Sequence, residues 1–154
     1  MAFFREAPLI RILPTSKIYG FDSFEGLPED WSGTTGRKGT FSLEGKLPAI
    51  ADNVELVVGW FNRTLPSFLD THEFKQISLL HIDCDIYSSA QTVFAMLHEK
   101  IASGTIIVFD EYFNYPLWER HEYRAFQDFV DFRQVKYEYI GLVPSKEQVA
   151  VRIL

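Results

Sequence analysis

"ISLLHIDCDIYSSAQTVFAMLHEKIASGTIIVFDE", Ile77 to Glu111, decides the fold. Its two ends, "ISLLHI" and "TIIVF", are nearly all apolar, as strands buried on both faces of a sheet must be. Between them, Ser88 followed three residues later by Gln91 is a capping-box pattern that predicts a helix to about Ile101, with Gly104 just past its end. A strand, a helix and a second strand in this order form a parallel unit. The same signals continue outward. "KIYGF" (Lys17–Phe21) and "VELVV" (Val54–Val58) read as two more buried strands. Thr64 is placed to cap a helix through about Phe74 that turns Leu65, Phe68 and Leu69 to one face. A third helix, Glu119 to Phe132, repeats Tyr123, Phe126, Phe129 and Val130, and "YEYIGL" and "QVAVRIL" around "VPSKE" predict a closing antiparallel hairpin. From Gly26 to Gly45 the chain is rich in Gly, Pro, Ser and Thr, which predicts a long loop with Trp31 inside it. The expected fold class is α/β, mostly parallel with a C-terminal antiparallel hairpin.

The 154 residues suit one domain, which at this size buries about 70% of its unfolded surface. A net charge of -6 opposes a broad footprint on nucleic acid or anionic lipid, so a small molecule or metal is the expected partner. Cys84 is the single cysteine, which rules out an internal disulfide and fits a reducing, cytoplasmic setting. No apolar run approaches the length of a membrane span. The expectation is a soluble protein that engages neither membrane nor nucleic acid.

Three of the four parallel strands end in acids: Asp22 after "KIYGF", Asp83 after "ISLLHI", and Asp110 with Glu111 after "TIIVF". In open α/β sheets ligands bind at that edge. Each acid alone could cap a helix or form an ion pair; their joint placement points to a site. Asp83 and Asp110 fall on adjacent strands, and two close carboxylates call for a cation. An oxygen-only donor set favours a hard ion, magnesium first and manganese or calcium next. Glu111 offers a third oxygen, and Asp85 either a further ligand or a general base. A divalent ion on a substrate hydroxyl lowers its pKa and creates an oxyanion nucleophile. Among the histidines His121 is the best general-base candidate, set against a structural role. The aromatic stretch Tyr112 to Trp118 reads as a pocket wall, as core, or as a subunit contact.

Taken together, "YGFDSFEGLPEDW", "VELVVGWFNRTLP", "HIDCDIYSSAQTV" and "GTIIVFDEYFNYPLWERHEYRAF", in that order, resemble the macrocin O-methyltransferase family, sugar-modifying enzymes of macrolide and aminocoumarin pathways. The resemblance implies one Rossmann-like class I methyltransferase domain over the whole chain, with residues 1–17 as an atypical N-terminal segment and S-adenosylmethionine as methyl donor. It implies that Asp22 hydrogen-bonds the ribose hydroxyls, that Ser23 and Phe24 line the same turn, and that Gly59, Trp60, Phe61 and Asn62 border the adenine. It also implies that Asp83, Asp110 and Glu111 hold magnesium, and that the acceptor is a hydroxyl on a sugar-like small molecule. The family usually shows two aspartates where this chain has Asp110-Glu111.

The larger departure lies upstream. Methyltransferases of this class open with an apolar strand and a glycine-rich turn around the methionine part of the cofactor, yet no glycine precedes Gly20. That strand would sit between those near Tyr19 and Leu80, so an N-terminally truncated sheet, split at that point, is expected. "APLIRIL" (Ala7–Leu13) could substitute, or a partner copy in a homodimer could supply a strand. Two further readings remain at this stage: a non-catalytic remnant of the fold, and a metal-dependent glycosyltransferase using "DCD" (Asp83–Asp85) as a D-x-D motif.

Overall fold

The structure is a computed structural model that describes residues 17–154. The four apolar runs form β1 (Ile18–Asp22), β2 (Val54–Val58), β3 (Leu79–Ile82) and β4 (Ile106–Phe109). Helices α1 (Phe61–Thr71) and α2 (Tyr87–Leu97) follow β2 and β3, and α3 (Glu122–Arg133) precedes the hairpin strands β5 (Tyr137–Leu142) and β6 (Val149–Ile153). β1 pairs parallel with β2, Ile18 opposite Val54, and β3 pairs parallel with β4, Leu79 opposite Ile106. β6 returns antiparallel between β4 and β5, giving the order β3-β4-β6-β5. The α/β class and the closing hairpin are as the sequence predicts.

Helix ends differ from the sequence reading, for local reasons. α1 starts at Phe61, so Thr64 lies inside it and its hydroxyl donates to the Trp60 carbonyl at 3.1 Å instead of capping. The Ser88 hydroxyl donates to Glu29 at 2.7 Å, which ties α2 to the long loop, and no side chain caps that helix. α2 ends at Leu97, and the last helix starts only at Glu122, after a short 3₁₀ turn, Trp118–Arg120, entered through Leu117 at φ 64°.

The core lies where α2 and α3 meet the four-stranded sheet. Phe94 stacks on Phe129 with ring centres 5.0 Å apart, and Phe109 meets Phe126 edge-on at 5.1 Å. Ile107, Val151 and Phe126 are fully buried, so this sheet half carries its own hydrophobic centre. α1 covers the other half through Phe68, which contacts Tyr19 and Phe21.

Among the described residues the sheet is divided, at the place where the sequence leads one to expect a split. β1 and β2 form a two-stranded unit apart from the other four strands. β1 and β3 border one cleft of about 550 Å³, lined also by Leu65 and Phe68 of α1 and Val93 and Leu97 of α2. Leu79 in β3 is 38% exposed, although a central strand of such a sheet would bury it. Ala7–Leu13, the sequence's candidate for the vacant place, lies outside the described residues.

The long loop is tied down. Gly26 sits at φ +83°, and a Cβ there would lie 2.3 Å from the Thr40 carbonyl oxygen, so only glycine fits. Leu27 and Thr40 pair through the backbone at 2.9 Å. A side chain on Gly33 would meet the Pro116 carbonyl oxygen at 2.2 Å, so the loop packs closely on the segment after β4.

Candidate active site

Every acid singled out in the sequence stands at the C-terminal edge of a strand. Asp22 is the last residue of β1, Asp83 follows β3, and Asp110 with Glu111 follow β4. Two neighbourhoods result.

The first surrounds Asp22, which is 5% exposed. Its Oδ1 accepts the Phe24 N–H at 2.7 Å, closing a turn in which Phe24 takes φ 58°. Its carbonyl accepts the Gly59 N–H at 2.8 Å, which fastens the end of β1 to the turn after β2. Oδ2 is buried and has no hydrogen-bond partner. Asp22, Ser23, Gly59, Trp60 and Phe61 line one small pocket with Gly26, Leu27 and Pro28. The predicted cofactor residues are therefore brought together, apart from two: Phe24 is buried beneath the turn, and Asn62 is exposed on α1. A carboxylate oxygen buried without a partner is costly and suits a ligand that donates hydrogen bonds, such as vicinal hydroxyls.

The second neighbourhood lies at the ends of β3 and β4. Asp83, Asp85 and Glu111 each bring an oxygen within 4.8 Å of the others. Asp85 takes φ 65°, a left-handed conformation that turns the chain back sharply, with the Ile86 N–H bonded to the Cys84 carbonyl at 2.7 Å. Glu111 Oε2 is buried without a partner. Burial, then the charges of Asp110 and Asp22, push the Asp85 carboxyl up to about 6. Burial and the surrounding acids also hold Glu111 far above the usual carboxylate range. The donor set is all oxygen and crowded, and this fits a hard divalent cation. Asp110 stands beside the group rather than in it: its Oδ1 accepts from Gln148 Nε2 at 3.2 Å. Asp85, read from sequence as ligand or base, is the residue that joins Asp83 and Glu111.

His121 is not brought into the acid group. Its ring is buried between Trp31 and Tyr115, and Nε2 meets the Ser32 carbonyl at 2.8 Å and the Ser32 hydroxyl at 3.1 Å. The carbonyl only accepts, so Nε2 carries the proton, and the histidine ties the long loop to the start of α3. In the aromatic stretch Tyr112 is buried, Phe113, Tyr115 and Trp118 are half-buried, and Asn114, Pro116 and Leu117 are exposed. Tyr112 is buried against Phe109, Tyr123 and Phe126, while Tyr115 packs on Trp31.

Sequence reading passed over Glu122. It is fully buried, and its Oε1 accepts both the Cys84 and Asp85 N–H groups at 2.9 Å. A signal was present: Glu122 is four residues before Phe126 and seven before Phe129, so a charge stands on the apolar stripe of α3.

The family model for macrocin-O-methyltransferase (TylF) matches residues 10–141, most of the chain. The chain belongs to the macrocin-O-methyltransferase family. Among solved structures it is similar to the calicheamicin methyltransferase CalS11, at 24% identity and a TM-score of 0.72, over 90% of this chain and 61% of that one. The O-methyltransferase NovP follows at 19% identity and a TM-score of 0.66, over 94% of this chain and 63% of that one. At these identities the likeness shows the fold, that of class I methyltransferases. The chain spans somewhat over three fifths of the length of these two structures. No curated protein matches it. Among the described residues no helix is long and apolar enough to cross a membrane.

Proposed function

We propose that this chain carries the site of an S-adenosylmethionine-dependent, magnesium-assisted O-methyltransferase acting on a hydroxyl of a sugar-like small molecule. The observation that carries the reading is the pairing of two acidic sites at the C-terminal ends of parallel strands: Asp22 with a buried, unpartnered oxygen, and the Asp83–Asp85–Glu111 group, whose oxygens converge. When bound, S-adenosylmethionine supplies the methyl group and the divalent ion lowers the pKa of the acceptor hydroxyl. Asp22 accepts the ribose hydroxyls through Oδ2, while Oδ1 remains bonded to the Phe24 N–H and keeps the carboxylate aimed. Gly59 and Trp60 border the same pocket and form its adenine side. Asp83 and Glu111 would hold the ion, with Asp110 beside them. Asp85, whose oxygen lies in the same group, is placed to take the hydroxyl proton or to complete the ligand set. Manganese or calcium satisfies the same donors less selectively. That CalS11 is described as a TDP-rhamnose 3'-O-methyltransferase supports a sugar hydroxyl as acceptor.

Calorimetry with S-adenosylhomocysteine, with and without magnesium, tests the reading. Saturable binding that strengthens with the ion is expected, and absence of binding at millimolar ligand would overturn it. A second reading, a folded but non-catalytic relative, is favoured by one observation: the cleft that the described residues leave between β1 and β3. It predicts cooperative melting that neither ligand shifts. A rise of several degrees with S-adenosylhomocysteine would count against it.

A further inference from the structure

Glu122 is the first residue of α3, and its side chain is completely shielded from solvent. Its Oε1 accepts the backbone N–H groups of Cys84 and Asp85, 38 and 37 residues away in sequence, at 2.9 Å each. Its Oε2 is buried with no hydrogen-bond partner. The apolar packing of α3 does not call for a carboxylate here; the two N–H groups do call for an acceptor. The rest of the stripe, Phe126 and Phe129, is apolar, and a leucine would fill the space without placing another charge beside Asp83, Asp85 and Glu111. The two N–H groups it holds belong to the sharpest turn of the site, where Asp85 is at φ 65° and Ile86 bonds back to Cys84. That turn sets the separation of the Asp83 and Asp85 side chains.

We propose that Glu122 is a positioning residue: it clasps the Cys84–Asp85 turn from α3 so that the oxygens of Asp83 and Asp85 converge with that of Glu111. The inference rests on the reading of this group as a cation site. Partners that orient metal ligands from behind are commonly worth 10- to 100-fold in metal affinity, about the size expected here.

The test compares Glu122→Gln and Glu122→Leu with the unaltered chain, using manganese as probe and two readouts: manganese affinity by calorimetry, and hydrogen exchange of the Cys84 and Asp85 amides in metal-free protein. Gln keeps an oxygen that accepts both N–H groups; Leu keeps only the volume. Glu122→Leu should weaken manganese binding by at least about tenfold and speed exchange at both amides by a similar factor, whereas Glu122→Gln should stay within about threefold on both. Equal behaviour of Leu and the unaltered chain would overturn the proposal, as would a Gln variant as impaired as Leu, which would assign the role to charge. If the Leu variant does not fold, the Gln comparison decides alone: slow exchange retained supports the clasp, and fast exchange overturns it. If the unaltered chain binds no manganese, the cation reading fails, and the exchange data still show whether the clasp exists.

Discussion

Asn in place of Asp22 separates binding from stability more cleanly than other changes at this edge. In Asp22→Asn the amide oxygen takes the place of Oδ1 and still accepts the Phe24 N–H that now bonds at 2.7 Å. The amide nitrogen takes the place of Oδ2, which is buried and without a partner. Without ligand the variant therefore loses no hydrogen bond and sheds a buried negative charge, so its melting temperature should hold or rise slightly. With ligand the balance reverses. Hydrogen bonds to a charged group contribute about 1.5–3 kcal/mol each, and an amide nitrogen cannot accept from the ribose hydroxyls. Allowing for one replacement contact, the net loss should be about 2–3 kcal/mol, or roughly 30- to 150-fold in affinity for S-adenosylhomocysteine. Calorimetry at fixed magnesium reads the affinity and scanning calorimetry the stability. Affinity within threefold of the unaltered chain would refute the argument, as would a melting temperature that drops along with the affinity.

Other outcomes follow from the same geometry. Gly59→Ala puts a Cβ at φ +140° and 2.9 Å from Thr64 Cγ2, so it should destabilise the chain by about 1–3 kcal/mol and weaken cofactor binding; denaturant unfolding reads the first and calorimetry the second. Phe126→Ala empties the fully buried centre of the core and should cost about 3–5 kcal/mol, seen as a lower denaturation midpoint; a loss under 1 kcal/mol would contradict the packing described. The pH dependence of the metal-free chain has a definite sign. Asp85 is raised by burial to about 6 from an ordinary value of 3.8, so its contribution favours the native state below about pH 4 and is lost as pH rises through about 6, a swing of about 3 kcal/mol. Melting temperature should fall over that window, and saturating magnesium should flatten the fall; a constant value in metal-free buffer would show that the carboxyl is not shielded. Ser32→Gly leaves the carbonyl bond to His121 in place and should leave folding nearly unchanged, whereas His121→Ala frees the loop and should increase proteolysis between Gly26 and Gly45.

Much of this was legible in the sequence, for identifiable reasons. The run at Ile106–Phe109 is apolar without interruption, because a strand packed inside the sheet leaves little room for polar alternation. Asp110 and Glu111 at its end stand out against that background. The split seen among the described residues was expected from the sequence as well, since no Gly-x-Gly pattern stands before the strand at Ile18–Asp22. Helix starts were less legible: Thr64 and Ser88 have the chemistry of caps, but their hydroxyls are engaged by Trp60 and Glu29 instead, and such choices depend on neighbours distant in sequence. The same holds for His121, whose partner Ser32 is 89 residues away, and for Asp110, drawn toward Gln148 on the hairpin. Glu122 shows the limit most clearly. Its charge on an apolar stripe marks it as unusual, but only the folded chain shows which amides it holds.

The central claim is that the C-terminal edge at Asp22 and at the Asp83–Asp85–Glu111 group forms one cofactor and metal site. Titrating ¹⁵N-labelled protein with S-adenosylhomocysteine and then magnesium, while following the amide resonances, tests it most directly. The account predicts saturable shifts first at Phe24, Gly59 and Trp60 and then at Asp83 to Asp85 and Glu111, with the hairpin tip at Ser145 unmoved. Shifts spread over the surface, or none at millimolar ligand, would contradict it.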